Sequence, residues 1–527
     1  MPKQLHEFIT LSADKTPDAP AITHKQATVN YQSLAQHVTT TGQGLLAQGL
    51  SRGERVAIYL PKQLETVIAF FATSYAGGVF VPINPLLKPE QVAYILKDCN
   101  VRILVTSHDR LNQLKPVLDN CHDLFSVIDT SNKSPPPAST AHYQIQYWEQ
   151  LPQQQTHAVH RAIDSDVAAI LYTSGSTGNP KGVVLSHRNM ITGAKSVAEY
   201  LGNAANDNLL AVLPFSFDYG LSQLTTAFYV GAKVTLLDYL LPRDVIKAVT
   251  KHQITGLAGV PPLWNQLAQL AWQPQANDTL RYFTNSGGAM PKATLNALRT
   301  ALPNAKPFLM YGLTEAFRST YLPPEHIDKR PDSMGKAIPN AEVMVVREDG
   351  SLCGPGEPGE LVHRGALVSL GYWNDPQKTT QHFKPVPIQE GGLTLPEIAV
   401  WSGDTVKMDD EGFLYFVARK DDMIKTSGYR VSPTEVEEVI YATGLVSETA
   451  VLGIAHPVLG QAIVVIATSA NHGNIENLLT ECKKHLPNFM LPNHIEFVET
   501  LPKNPNGKID RKQLSQKYAS LFQENTP

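Results

Sequence analysis

Short apolar, β-branched runs recur through the first four-fifths of the chain, and helical patterns lie between many of them. The runs include Val56–Leu60, Val79–Ile83, Ile103–Thr106, Ala168–Tyr172, Leu209–Leu213, Lys233–Leu237 and Tyr282–Asn285. The helical patterns include Glu90–Lys97, Arg243–His252 and Ala293–Ala301. Strands that are apolar throughout, not at every second position, are buried on both faces. Strand and helix in alternation then require a largely parallel sheet covered by helices on both sides. The uncharged stretch from Val67 to Ile83 contains Gly77, Gly78 and Pro82. It reads as a buried helix running into a buried strand, not as a membrane span.

After about Arg419 the pattern becomes a compact α+β unit. Ser432-Pro433-Thr434-Glu435 is a capping box with proline at the first helical position, opening a helix over Glu435–Tyr441. Strands are expected at Thr449–Ile454, Ala462–Thr468 and His494–Val498, and helices near Ile475–Lys484 and Arg511–Leu521. A chain of 527 residues exceeds one ordinary core. The fold class is therefore α/β, with a large N-terminal region of mostly parallel sheets, residues 1–420, and a small mobile α+β domain, residues 421–527. Polar, Pro-rich Ser131–Thr140 and Gln389–Pro396 read as loops.

Composition excludes several classes. Hydrophobic content of 43% with 17% charged residues is globular, and 44 Lys and Arg against 48 Asp and Glu leave a net charge of only −4. The small excess is spread along the chain, so no nucleic-acid or anionic-lipid surface is expected. Cys99, Cys121, Cys353 and Cys482 stand far apart with no CxxC, which argues against a disulfide framework or zinc site. With no signal-like run in MPKQLHEFITLSADKTP, a cytoplasmic location is expected.

The strongest local signal is Leu171-Tyr-Thr-Ser-Gly-Ser-Thr-Gly-Asn-Pro-Lys-Gly-Val183, directly after a buried strand. Small hydroxyl and glycine residues let the backbone turn several N–H groups toward one anion, and Lys181 adds a point charge. Proline at 180 and glycine after Lys181 exclude a Walker A loop. Further along come Tyr311-Gly-Leu-Thr-Glu315 after an apolar strand, Gly359-Glu360-Leu361 with Gly371-Tyr372, and Trp401-Ser-Gly-Asp404 ending an apolar run. Arg419-Lys420-Asp421-Asp422 and Pro502-Lys-Asn-Pro-Asn-Gly-Lys508 follow.

In this order and spacing the motifs resemble the adenylate-forming superfamily: acyl-CoA synthetases, the adenylation domains of nonribosomal peptide synthetases, and luciferases. Within it the chain is similar to bacterial free-standing acyl-CoA or acyl-carrier ligases of the exosortase A-associated type, and to discrete amino-acid adenylating ligases. The resemblance implies activation of a carboxylic acid, an amino acid included, by ATP with Mg²⁺, and transfer to the thiol of CoA or of a carrier-protein phosphopantetheine.

The resemblance also implies roles. Thr173, Ser174, Gly175, Ser176, Thr177, Gly178 and Lys181 would hold the β- and γ-phosphates. Gly287, Gly288 and Ala289 would flank adenine and the acyl pocket, with Tyr311 on the base and Gly312 beside it. Thr314 would contact the α-phosphate, Glu315 would hold Mg²⁺, and Asp404 with Arg419 would grip the ribose. Lys508 would orient carboxylate and α-phosphate and stabilise the charge that builds there. Asp421 would be the hinge of a domain rotation that brings Gly428 to the thiol tunnel. Val260–Trp264, Asn285–Ala289 and Phe317–Tyr321 contribute to the acid pocket, together with Phe217 and Asp218. For Asp218 two roles stand side by side: a partner for a substrate α-ammonium, or an N-cap of the following helix. His187 reads as structural. Ala418, Trp401-Ser402 and the long Phe383–Val400 stretch depart from common family patterns without removing a charged group. Two other functions share the fold, a luciferase-like oxygenase and a non-catalytic nucleotide-binding homologue. Intact Lys181, Glu315, Asp404, Arg419 and Lys508 weigh against the latter.

Overall fold

The computed structural model describes residues 2–131, 142–152, 158–173, 180–288, 290, 292–388, 391–392, 394–419, 424–431, 433–469, 474–502 and 509–523. Its strands form four sheets. In the first, five parallel strands run side by side, Lys306–Tyr311, Tyr282–Asn285, Gly256–Gly259, Asn208–Ala211 and Lys233–Leu236, of which Gly256–Gly259 was not expected. Pro20–His24 continues the parallel run, and antiparallel strands close both edges. The second sheet is parallel from Gln144–Tyr147 to Val167–Thr173, and Lys181–Ser186 turns back antiparallel at its edge.

These sheets carry the apolar runs as expected. Val56, Ile58, Leu209 and Phe283 are buried in one core, while Ala57, Tyr59 and Val81 face a second core on the other side of their sheet. The Val67–Ile83 stretch is the helix Leu64–Tyr75 followed by the strand Val79–Pro82. Among the described residues no helix is long and apolar enough to cross a membrane. All four cysteines are free.

Between the parallel sheets and the C-terminal unit lies an antiparallel five-stranded sheet of Ala341–Val346, Pro358–Gly365, Ile398–Met408, Phe383–Pro385 and Leu414–Arg419. It is hidden in the sequence for a physical reason. Val343 and Val345 face one apolar cluster and Met344 and Val346 the other, so the period of two is erased. The same sheet corrects the expectation for Trp401-Ser-Gly-Asp404. The run does not end there; Asp404 sits mid-strand, because Val406 and Met408 carry the strand on into the next cluster.

The fourth sheet is built only from later residues: Tyr429–Val431, Ile424–Thr426, Gly460–Ser469, Val446–His456 and His494–Phe497. It has its own buried clusters, one against the helices Pro433–Ala442 and Ile475–His485. Proline does stand at the first position of Pro433–Ala442, but Ser432 lies outside the described residues.

Candidate functional site

The glycine- and hydroxyl-rich segment is flanked by two antiparallel strands. Thr173 and Lys181 face each other across Val167–Thr173 and Lys181–Ser186. Ser174, Gly175, Ser176, Thr177 and Gly178 lie outside the described residues, as do Ala289, Asp421 and Lys508. Thr173 Oγ1 is buried without a hydrogen-bond partner. The Lys181 ammonium, 18% exposed, pairs with Glu315 Oε1 at 3.0 Å, donates to Tyr372 Oη at 2.9 Å, and lies 4.3 Å above the Tyr372 ring centre. The Tyr372 hydroxyl in turn donates to Glu315 Oε1 at 2.7 Å. Burial alone would push the Glu315 carboxyl up. The Lys181 charge and the Tyr372 hydrogen bond outweigh it and draw the pKa down to about 2. Glu315 is therefore a fixed anion, buried beside these two strands.

Tyr372 had appeared in the sequence only as part of Gly371-Tyr372, with no role. Its segment runs alongside Lys181–Ser186, with Val184 N donating to Gly371 O and Trp373 N to Gly182 O. Gly371, at φ +105°, passes so close to Thr379 that a Cβ would lie 2.6 Å from its methyl. Only glycine lets the chain deliver Tyr372 to the Lys181–Glu315 pair.

Thr314 and Glu315 begin a single 3₁₀ turn just past the end of Lys306–Tyr311, the carboxyl edge where α/β sheets bind ligands. Thr314 Oγ1 donates to Asp218 Oδ1 at 3.3 Å. Asp218 is not an N-cap: Phe217 holds the cap position of Asp218–Val230, without a side-chain cap, and Asp218 is the first helical residue. Its carboxyl is buried and its pKa raised by that burial, against the opposing charge of Arg318 and the Thr314 hydrogen bond. Tyr311 donates to Asp404 Oδ2 at 2.5 Å, and Asp404 is 2% exposed. Asp404 stands opposite Arg419 in the strand pairing; the Arg419 side chain lies outside the described residues. Gly312 packs against the backbone of Arg318.

The acid-pocket residues meet the small C-terminal unit here. A Cβ on Gly287, at φ +81°, would lie 3.8 Å from the Phe217 ring and 3.9 Å from the Gly428 carbonyl. Gly288 accepts from Asn285 Nδ2 at 2.9 Å. Gly428, also at φ +81°, sits so near Val260 that a Cβ would come within 2.7 Å of it. Phe217, Val260, Gly428 and Tyr429 line one cavity of about 460 Å³ with the apolar residues Leu213 and Phe215. His187 is remote in role: it is buried, its Nδ1 accepts from Leu5 N at 3.3 Å, and burial lowers its pKa to about 4. Among the described residues there is no cluster of three or more His, Cys, Asp or Glu able to hold a metal by themselves. A divalent cation here would depend on Glu315 and on phosphate oxygens. An ionised, buried carboxylate fits Mg²⁺, which takes few protein ligands and shares the rest with substrate phosphates.

The chain is similar to characterised proteins along its length. It is 28% identical over 545 residues to a long-chain-fatty-acid–CoA ligase of Salmonella typhimurium, covering 97% of this chain and 94% of that one. It is 26% identical over 521 residues to bacitracin synthase 3 of Bacillus licheniformis, covering 98% of this chain but 8% of that far larger protein. Its fold matches o-succinylbenzoate CoA synthetase from Bacillus subtilis with a TM-score of 0.81 and 25% identity, over 96% and 97% of the two chains. The family model for AMP-binding enzymes matches residues 9–373, and that for the AMP-binding enzyme C-terminal domain matches residues 435–508. The chain belongs to the AMP-binding enzyme family, within the adenylate-forming superfamily.

Proposed function

We propose that the protein activates a carboxylic acid, an amino acid included, with ATP to give an acyl-adenylate and pyrophosphate, and then transfers the acyl group to the thiol of CoA or of a carrier-protein phosphopantetheine. One observation carries the reading: residues remote in sequence form a polar series, Lys181–Tyr372–Glu315 and the adjoining Thr314–Asp218, and Thr314 and Asp218 line a pocket that shares Phe217, Gly428 and Tyr429 with the apolar cavity. One end suits phosphates and the other an acid.

On this reading Thr173, Lys181 and the loop between them bind the β- and γ-phosphates. Glu315 supplies the carboxylate for Mg²⁺, which would offset phosphate charge when bound. Thr314 contacts the α-phosphate, and the hydrogen-bonded Tyr311–Asp404 pair sets the ribose grip, assisted by Arg419. Gly287, Gly288 and Ala289 border the adenine and the acid, and Asp218 takes an α-ammonium where the acid has one. Lys508 orients the acid's carboxylate against the α-phosphate and stabilises the charge that develops. The division at residues 420 and 421, with Asp421 as hinge, lets the small domain exchange Lys508 for Gly428. The placement of Gly428 against Phe217 and Val260 supports its share in the thiol step.

The test is acid-dependent ATP–pyrophosphate exchange, followed by thioester formation with CoA or a phosphopantetheinylated carrier. Exchange with at least one acid is expected. Nucleotide binding with no exchange across a broad acid panel would refute the activation step, and oxygen-dependent light emission in place of thioester would refute the second.

A further inference from the structure

The most deeply buried arginine of the described residues is in ion-pair contact with no carboxylate. Arg318 is 2% exposed, its Nη1 donates to Ser286 Oγ at 3.4 Å, and its Nε has no partner. The guanidinium lies over the Tyr219 ring, 4.7 Å from its centre. Among the described residues no carboxylate forms an ion pair with it. Arg281 and Arg299 are more exposed and are paired, with Asp207 at 2.6 Å and with Asp328 at 2.6 Å. A guanidinium does not deprotonate in a protein, so burial cannot neutralise it. The Asp218 charge reaches it only through space, and no carboxylate is in ion-pair contact, so a bound anion would complete the pairing.

The backbone is shaped to hold Arg318 inward. Phe317 precedes it at φ +56°, a left-handed value for a bulky residue, and its ring packs so tightly on Gly193 that a Cβ there would lie 2.4 Å away. Strain of this kind persists where surrounding structure over-determines it, most often at functional sites. Gly312 abuts the Arg318 backbone and side chain from the other side. The location is the one that the activation reading gives to the acid. Ser286 precedes Gly287, Tyr219 follows Asp218, and Glu315, three residues earlier, lies in the turn Thr314–Ala316. Asn285 Oδ1, on the same strand end as Ser286, is likewise buried with no donor. An aliphatic chain would leave both as they are; a carboxylate would meet the Arg318 donor, and the Asn285 acceptor would need an N–H such as that of an α-ammonium.

We infer that Arg318 binds a second anionic group of the acid, so that the substrate is a short dicarboxylic acid, with or without an α-amino group. This rests on the acid-activating function proposed above. The planar fork of arginine matches a carboxylate in a bidentate pair, which gives the site its selectivity. The plain alternative is that Arg318 is a structural cation held by Tyr219 and by the through-space charge of Asp218.

The test is ATP–pyrophosphate exchange by wild type, Arg318→Met and Arg318→Lys. The panel is succinate and glutarate, aspartate and glutamate, and the monoacids and neutral amino acids of equal length. In wild type the diacids should exceed their monoacid counterparts in kcat/KM by at least ~10²-fold, the scale of one buried ion pair. Arg318→Met should bring that ratio to within ~10-fold of unity, and Arg318→Lys, which keeps the charge and loses the fork, should fall between. The plain and amino diacid arms tell which of the two is the substrate. Wild-type exchange that favours monoacids, or a ratio unchanged in both variants, overturns the inference and leaves acid activation standing. The wild-type profile decides even if a variant fails to fold. No exchange with any member of a broader acid panel overturns the activation reading itself.

Discussion

Tyr372→Phe isolates the hydroxyl that joins Lys181 to Glu315. Phenylalanine keeps the ring under the ammonium and its edge contacts with His382 and Phe383, so packing is preserved. The direct Lys181–Glu315 contact at 3.0 Å also survives. What is lost is one hydrogen bond accepted from a cation and one donated to a buried carboxylate. Lys181 is partly exposed and water can replace its lost acceptor; Glu315, 9% exposed, has less access to a substitute donor. The net cost is therefore that of one hydrogen bond to a buried charge, ~1.5–3 kcal/mol. If the trio positions the phosphates and their cation, that cost appears in the use of ATP. At about 1.4 kcal/mol per decade it corresponds to a loss of ~10–10²-fold in kcat/KM for ATP. The assay is ATP–pyrophosphate exchange at varied ATP and Mg²⁺, alongside a thermal melt. A lowered melting temperature with unchanged ATP and Mg²⁺ dependence would show that the trio is only a strut between elements, and the reasoning would fail.

Three further outcomes are expected. The Glu315 carboxyl is drawn from 4.5 to about 2, so its contribution is present above about pH 4.5 and lost as pH falls toward 2. The shift corresponds to about 3 kcal/mol at 1.36 kcal/mol per unit, so melting temperature should fall less steeply between about pH 5 and 3 in Glu315→Gln than in wild type; parallel curves would contradict this. Gly428→Ala puts a Cβ 2.7 Å from Val260 at a left-handed backbone position, and should slow transfer from supplied acyl-adenylate to thiol more than it slows exchange; equal slowing of both steps would remove Gly428 from the thiol path. Asp218→Asn should weaken exchange with amino acids by ~10²–10³-fold, the cost of breaking one side of a buried ion pair. Wild-type exchange with fatty acids alone, measured across twenty amino acids and a fatty-acid series, would eliminate the ammonium role.

The sequence by itself determined the class of fold and the family. Apolar strands such as Val79–Pro82, buried at every position, declare burial on both faces, and the helices between such strands leave little choice but a parallel sheet. Motifs are local in the chain, so the segment ending at Lys181, the Thr314–Glu315 pair past its strand, and Gly428 could be singled out, while the return strand Lys181–Ser186 and the 3₁₀ turn Thr314–Ala316 could not. The antiparallel sheet of Ala341–Arg419 was not legible, since apolar clusters on both faces of Ala341–Val346 erase the alternation that marks a strand. Partnerships were not legible either. That Asp218 answers Thr314 instead of capping its helix, that Tyr372 bridges Lys181 and Glu315 across nearly two hundred residues, and that Arg318 is buried with its Nε unpartnered, are decided by which strand ends converge. Residue type and spacing fix what a segment can do alone. Charge pairing and burial are properties of distance and dielectric between segments, and these exist only once the chain has packed.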